Sequence, residues 1–238
     1  MNEVRLFGLE RSVYTRIARL ALEEKGVPYV LEEVEIFDPD GVPAVHWLRH
    51  PFGRIPILDD GGFELYETSA ITRYVDEAFT GPSLQPGDIH VRARMNEIIG
   101  MLDAYAYRPM VWGVFVQRCC PPSTGGVAAE DAVADSLLTA NTCLLALDRL
   151  AGFDLFLLGE KISLADLHAF PMLRYLSLAA EGRDLLAGYP RIQAWLERLC
   201  LHPSVLRTRG RYELAGQSAV AGSEDDPGTR GSFALGEK

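Results

Sequence analysis

The chain switches between strand-like and helix-like apolar periods in its first eighty residues, and every periodic segment after that is helical. Val4-Arg5-Leu6-Phe7 alternates as a short strand does and Gly8 interrupts it; Val13, Ile17, Leu20 and Ala21 then recur at helical spacing up to Gly26-Val27-Pro28. Tyr29 to Ile36 reads as a second strand, with β-branched residues interleaved with Glu32, Glu33 and Glu35. A strand-helix-strand unit of this kind is right-handed with parallel strands. Asp38 to Gly41 is a turn, and a short, poorly patterned helix follows through Trp47. Ile57-Leu58 and Phe63-Glu64-Leu65-Tyr66 flank Asp59-Asp60-Gly61-Gly62, a strong hairpin signal, and a helix from Thr68 to about Ala78 closes this half.

Breaks at Thr80-Gly81-Pro82 and Pro86-Gly87-Asp88 mark a linker over residues 81–88. Ile89 to about Gln117 has the pattern of one long helix, which Pro109 should kink or divide. Pro121 to Gly126 reads as a loop, and helices are expected over Ala128 to Leu150, Ser163 to Leu178 and Pro190 to Leu201. Residues 213–238 are rich in Gly, Ser, Asp and Glu, and a disordered tail is expected there. Too few strands are present for a doubly wound sheet, and no glycine-rich phosphate loop follows the first one. The order β-α-β-α-β-β-α matches the thioredoxin fold. The expected fold class is therefore an α/β thioredoxin-like N-terminal domain over 1–80 followed by an all-α domain over 89–212.

The bulk numbers exclude other classes. The net charge of −10 repels phosphate backbones and anionic lipid, so no nucleic acid and no membrane is expected as a partner. No window of about 18 apolar residues is present, and the first residues carry neither a basic n-region nor a signal-peptide h-region, so the expected location is cytoplasmic. Cys119, Cys120, Cys143 and Cys200 read as reduced thiols, since two are adjacent and no pair has metal-ligand spacing. His46, His90 and His168 also lack partners at ligand spacing, and no metal is expected.

Three segments of the first half then carry a resemblance. Phe7 to Ile17 places Ser12 at a helix start with Arg16 four residues later; Pro51-Phe52-Gly53-Arg54-Ile55-Pro56 precedes the third strand; Glu67-Thr68-Ser69-Ala70-Ile71 opens the next helix. In this order and spacing they resemble the serine-type classes of the cytosolic glutathione S-transferase family, phi- or theta-like or a related bacterial class. In the helical half, Ser163-Leu164-Ala165-Asp166 reads as a capping box with Ile162 suited to a hydrophobic staple; the resemblance places this feature, with Pro171 beyond it, in the core of the family's second domain.

The resemblance implies a glutathione-dependent transferase, with glutathione as co-substrate and a small hydrophobic electrophile as its partner, acting as a homodimer. Ser12 is implied as the catalytic residue, its hydroxyl donating to the glutathione sulfur. A thiol of pKa ~8.5 needs ~2.7 kcal/mol of preferential thiolate stabilisation to fall by two units. One charge-assisted hydrogen bond supplies roughly 1.5–3 kcal/mol, and the start of a helix adds a few tenths to one. Taken as a lone residue, Ser12 is an ordinary N-cap, and the two roles can coexist.

The resemblance also implies a cis bond before Pro56, with the Ile55 backbone turned outward to pair with the cysteinyl part of glutathione. On residues alone, Pro56 is a strand-initiating trans proline. Glu67 and Thr68 suit the γ-glutamyl end, the helix-start amides and hydroxyl taking its carboxylate and Glu67 its ammonium; their plain reading is helix capping. Serine-type relatives often hold the glycyl carboxylate with a His-Lys pair. Gly41 and Val42 stand there in this chain, and Arg54 is the substitute expected to grip that carboxylate.

The electrophile pocket is expected along the long helix at Tyr105, Arg108, Trp112 and Phe115, although aromatics at helical spacing are as readily core. Phe52 resembles the aromatic key that some classes insert into a partner subunit, against the plainer reading of a buried loop aromatic. Two alternatives stay open: glutathione-dependent isomerisation or peroxide removal on the same scaffold, and a non-catalytic module of the same shape.

Overall fold

The computed structural model describes residues 3–38, 40–120 and 130–214. These divide into two compact units, Met1–Pro82 together with the segment that begins at Arg207, and Ser83–Leu206.

The first unit is built on a four-stranded sheet in the order β2-β1-β3-β4. Strand β1 (Val4–Gly8) pairs in parallel with β2 (Tyr29–Glu33) and antiparallel with β3 (Ile57–Asp60); β3 pairs antiparallel with β4 (Phe63–Tyr66). Helix α1 (Val13–Lys25) makes the crossover between β1 and β2, α2 (Ala44–Arg49) precedes β3, and α3 (Thr68–Ala78) follows β4. The expected hairpin is β3–β4, and β2 ends at Glu33, short of Ile36. The central strands carry the core, with Leu6, Ile57 and Leu58 fully buried. Gly8 is required by the packing of α1 on β1, because a Cβ there would lie 2.4 Å from Thr15 Oγ1. The far ends of the helices are tied by Lys25, whose buried ammonium donates to Asp76 Oδ1 at 3.1 Å, Asp76 O at 2.9 Å and Pro82 O at 3.0 Å.

The second unit is helical. Helix α4 (Ile89–Met101) runs on through π-helical segments Leu102–Ala106 and Arg108–Val116 into a last turn, α5 (Gln117–Cys119). The kink or division expected at Pro109 is replaced by a widened register. Proline lacks an N–H and its ring crowds the carbonyl four residues back, and i→i+5 pairing relieves both faults without ending the helix. Helices α6 (Glu130–Leu150), α7 (Leu164–Leu176), α8 (Ala180–Ala187), α9 (Pro190–Cys200) and α10 (Pro203–Arg207) complete the set. The sequence reading passed over α8 and α10, which are short. The loop expected at 121–126 and the beginning of the helix expected from Ala128 lie outside the described residues.

Every residue of α7 except Arg174 is buried, so this helix is the axis of the unit. Its start is held by Asp166, itself fully buried. Asp166 Oδ1 accepts from Leu157 N–H and Trp195 Nε1–H, each at 2.9 Å, and Oδ2 accepts from Ser163 N–H at 2.9 Å and Ser163 Oγ–H at 2.7 Å. The capping acid thereby ties the α6–α7 connection and α9 to one helix start.

Residues 213 and 214, placed in the expected tail, are helical. Glu213 is 3% exposed and pairs with the buried Arg16 of α1, because a short helical turn brings its carboxylate back onto the first unit. Residues 215–238 lie outside the described residues. All four cysteines are free thiols, and among the described residues no helix is long and apolar enough to cross a membrane.

Candidate functional site

Sheet register brings three loops to one end of the first unit. Phe7 at the end of β1 faces Ile57 at the start of β3, and Ile57 faces Tyr66 at the end of β4. The Leu9–Ser12 loop, the Ile55-Pro56 approach and the Glu67-Thr68 exit therefore lie side by side on neighbouring strand ends. Strands are spaced about 4.8 Å apart, so the loops of β1 and β4 sit about 10 Å from each other, the length of an extended tripeptide.

Ser12 caps α1 with extended backbone, φ −76° and ψ 130°, and its Oγ accepts from Thr15 N–H at 3.3 Å. A hydroxyl has one proton and two lone pairs, and this bond uses a lone pair. The proton is left to donate away from the helix. Ser12 N–H donates to Leu9 O at 3.0 Å and fixes the loop that carries it.

The Ile55–Pro56 bond is cis. Ile55 is buried, and among the described residues its backbone N–H and C=O take part in no hydrogen bond. The preceding loop is braced from α2. His46 Nε2–H donates to Arg54 O at 2.7 Å, and Phe52 N–H donates to His50 Nδ1 at 3.2 Å. Gly53 has φ +58°, and a Cβ there would meet the Trp47 ring at 2.6 Å, so only glycine allows this close approach. The Arg54 side chain is exposed and makes no ion pair among the described residues.

Glu67 has φ +70°, an unusual conformation for a residue with a Cβ, and provides no side-chain cap to α3. Strain of this kind collects where a ligand site fixes the backbone. The first-turn amides of α3, from Thr68 and Ser69, consequently point out uncapped at the positive end of a helix. Thr68 is buried, at 7% exposure, beneath them.

His50, which sequence reasoning passed over, sits beside these groups. It is 2% exposed and packs its ring against Tyr66 at 4.7 Å, His46 at 6.2 Å and Phe52 at 6.0 Å. Burial pushes its pKa below the usual imidazole value, the Glu67 carboxylate opposes, and His46 and Arg54 push it further down. Because a backbone N–H donates to Nδ1, the ring is neutral with its proton on Nε2. The available signal was its position two residues before a loop amide, where a side-chain acceptor sets a turn.

The four pocket candidates of the helical unit are not gathered together. Tyr105 is exposed and lines a cleft of about 480 Å³ with Glu97, Met101, Ala146, Arg149 and Leu150. Arg108 is exposed and Trp112 is half-buried, its Nε1–H donating to Tyr107 Oη at 2.9 Å; neither lines that cleft. Phe115 is corrected: it is 1% exposed and stacked on Tyr175 at 4.4 Å, because its side of the helix faces α7 and the core. Among the described residues no group of three His, Cys, Asp or Glu side chains could hold a metal ion.

The family model for the glutathione S-transferase N-terminal domain matches residues 6–83, and that for the C-terminal domain matches 130–198. Glutathione S-transferase F14 of Arabidopsis thaliana is 31% identical over 80% of this chain and 77% of its own. The chain belongs to the glutathione S-transferase family. Glutathione S-transferase 4 of Zea mays is 29% identical over 84% of this chain and 89% of its own. The solved structure of glutathione S-transferase-I bound with the ligand lactoylglutathione superposes with a TM-score of 0.72 at 26% identity, covering 87% of this chain and 98% of that one. The family's thioredoxin-like sheet domain and helical domain are the two halves seen here, and the serine-type reading of the first loop fits these relatives.

Proposed function

We propose that this family member is a cytoplasmic glutathione transferase that holds its co-substrate as a thiolate at Ser12 and directs it at small hydrophobic electrophiles. The observation that carries this reading is the Ser12 hydroxyl, which spends a lone pair on its helix and keeps its proton for a ligand. Placed at a helix start, that proton stabilises sulfur as S⁻ by roughly 1.5–3 kcal/mol, and the dipole adds a few tenths to one. Together these bring a thiol near pKa 8.5 down into the range where it is largely ionised at neutral pH. The relative solved with lactoylglutathione holds a glutathione derivative on the same fold.

The tripeptide would lie across the strand ends. The unbonded Ile55 backbone pairs with the cysteinyl residue; the Thr68 amide and hydroxyl take the γ-glutamyl carboxylate, and Glu67 its ammonium. Arg54 grips the glycyl carboxylate in place of the missing His-Lys pair. Tyr105, Arg108 and Trp112 contribute the electrophile side. The active form is a homodimer in which Phe52, 64% exposed, is the aromatic key that enters the partner subunit.

The absent His-Lys pair favours a second reading, a non-catalytic module; Gly41, at φ +89°, has no side chain to offer there. Isothermal titration separates the two, because a non-catalytic module gives no saturable heat with glutathione. Ser12→Ala then tests the mechanism. Losing one such hydrogen bond raises the bound thiol's pKa by about 1–2 units, since one unit is 1.36 kcal/mol. An unchanged ultraviolet thiolate titration removes Ser12 from the chemistry.

A further inference from the structure

The last described stretch of the chain returns to α1 and touches it at both ends. Arg207 Nε donates to Glu23 Oε2 at 2.5 Å, near the C-terminal end of the helix. The Gly210 backbone runs against the loop that carries Ser12, since a Cβ on it would lie 3.7 Å from Glu10 O. Glu213 Oε2 lies 2.8 Å from Arg16 Nη1, with side-chain exposures of 4% and 1%. Arg16 is one turn beyond Ser12, and its N–H donates to Ser12 O at 2.9 Å.

A charge pair this deeply buried is held by geometry; it exists only while the segment is seated. Seven residues thus tie down the rear of α1, its first full turn and the loop before it. The donor strength of a hydroxyl falls steeply with distance and angle, so the element that fixes this turn also fixes how well Ser12 meets a sulfur.

We propose that residues 207–213 form a strap that sets the position of the Ser12 hydroxyl, with Arg16 and Glu213 as its positioning pair. The strap rests on the Ser12 reading above and adds that the ionisation of bound glutathione is controlled from the far end of the chain. Neither Arg16 nor Glu213 touches the tripeptide in this scheme.

The test records the ionisation pH of bound glutathione by ultraviolet thiolate absorbance in the full chain, in Glu213→Gln, in Glu213→Asp and in Ser12→Ala. Glu213→Gln should raise it by about one pH unit, a tenfold fall in the thiolate-to-thiol ratio at a given pH. Glu213→Asp keeps the charge but withdraws it by one methylene, and should give a smaller rise in a chain that still folds if Glu213→Gln does not. KM for glutathione should stay within about twofold of the native value, because Ile55, Glu67 and Thr68 are untouched; a merely structural role would lower stability and leave the thiol titration in place. Unchanged ionisation in the folded Glu213 variants, with a rise in Ser12→Ala, overturns the strap and leaves the Ser12 mechanism standing. Unchanged ionisation in Ser12→Ala overturns the mechanism itself.

Discussion

Asp166→Asn replaces one carboxylate oxygen with an NH₂ group where four donors converge, and the geometry fixes which way the amide must turn. With its oxygen at the Oδ1 position, asparagine keeps the bonds from Leu157 N–H and Trp195 Nε1–H, both 2.9 Å in the native chain. Its NH₂ then faces Ser163 N–H, a donor against a donor, while Ser163 Oγ can rotate and accept instead. The opposite orientation loses two donors and is worse. Leaving one buried amide unpaired costs about 1–3 kcal/mol, and weakening the remaining bonds from charge-assisted to neutral adds to it. A partial offset comes from burial, which pushes the Asp166 carboxyl above its usual range against the opposing hydrogen bonds of Leu157, Ser163 and Trp195. The expected net loss is about 2–3 kcal/mol from the helical unit. With a urea slope of about 2 kcal/mol/M, the unfolding midpoint followed by tryptophan fluorescence should fall by about 1–1.5 M. Asp166→Ala, which strands every donor, should cost more, and Ser163→Ala, which loses the 2.7 Å hydroxyl bond and the Ser163 side of the capping box, about 1 kcal/mol. A shift for Asp166→Asn no larger than that for Ser163→Ala would refute the view of this carboxylate as the hub of the unit.

His50→Asn should flatten the acid side of the stability profile. The folded His50 has its pKa below the unfolded value near 6.5, so as pH falls the unfolded chain takes the proton first. The group's contribution is complete above pH ~6.5 and is lost below it, at up to ~1.4 kcal/mol per pH unit until the folded pKa is reached. Asparagine keeps an acceptor for Phe52 N–H without titrating, so melting curves between pH ~7.5 and ~5.5 should fall less steeply for the variant; identical slopes would count against the assignment. Phe52→Ser should weaken self-association at least tenfold, read by sedimentation, with the melting of dilute protein unchanged. A native-like dimer in that variant would remove Phe52 as the key.

The sheet half was legible because its signals are local and covalent. Asp59-Asp60-Gly61-Gly62 between two alternating runs can be little other than a hairpin, and Ser12 before Val13, Ile17 and Leu20 marks a helix start. What escaped depended on partners far along the chain. Glu213 sits in a stretch whose average composition is that of a solvated tail, and only a buried guanidinium nearly 200 residues earlier gives it a place. Phe115 shows the limit of periodicity: helical spacing reports which residues share a face, and a face turned to α7 has the same spacing as one turned to a ligand. At Pro109 the proline rule identified the fault correctly but not its repair, since a π register satisfies the same constraint that a break would.

Of the candidate site's backbone conformations, the cis bond before Pro56 was implied by the resemblance and is present, whereas that of Glu67 was not legible. Glutamate is a poor choice for φ +70°, so nothing in Glu67-Thr68-Ser69 announces that its backbone will turn that way and leave the α3 amides uncapped. A residue that bonded its own helix, as Ser12 does with Thr15 N–H, would have filled those donors. The two helix starts at this end of the sheet therefore differ in kind. At α1 the cap is closed and offers a proton; at α3 the cap is open and offers amides. A ligand with a thiol at one point and a carboxylate about 10 Å away satisfies both, and that spacing follows from two strand intervals.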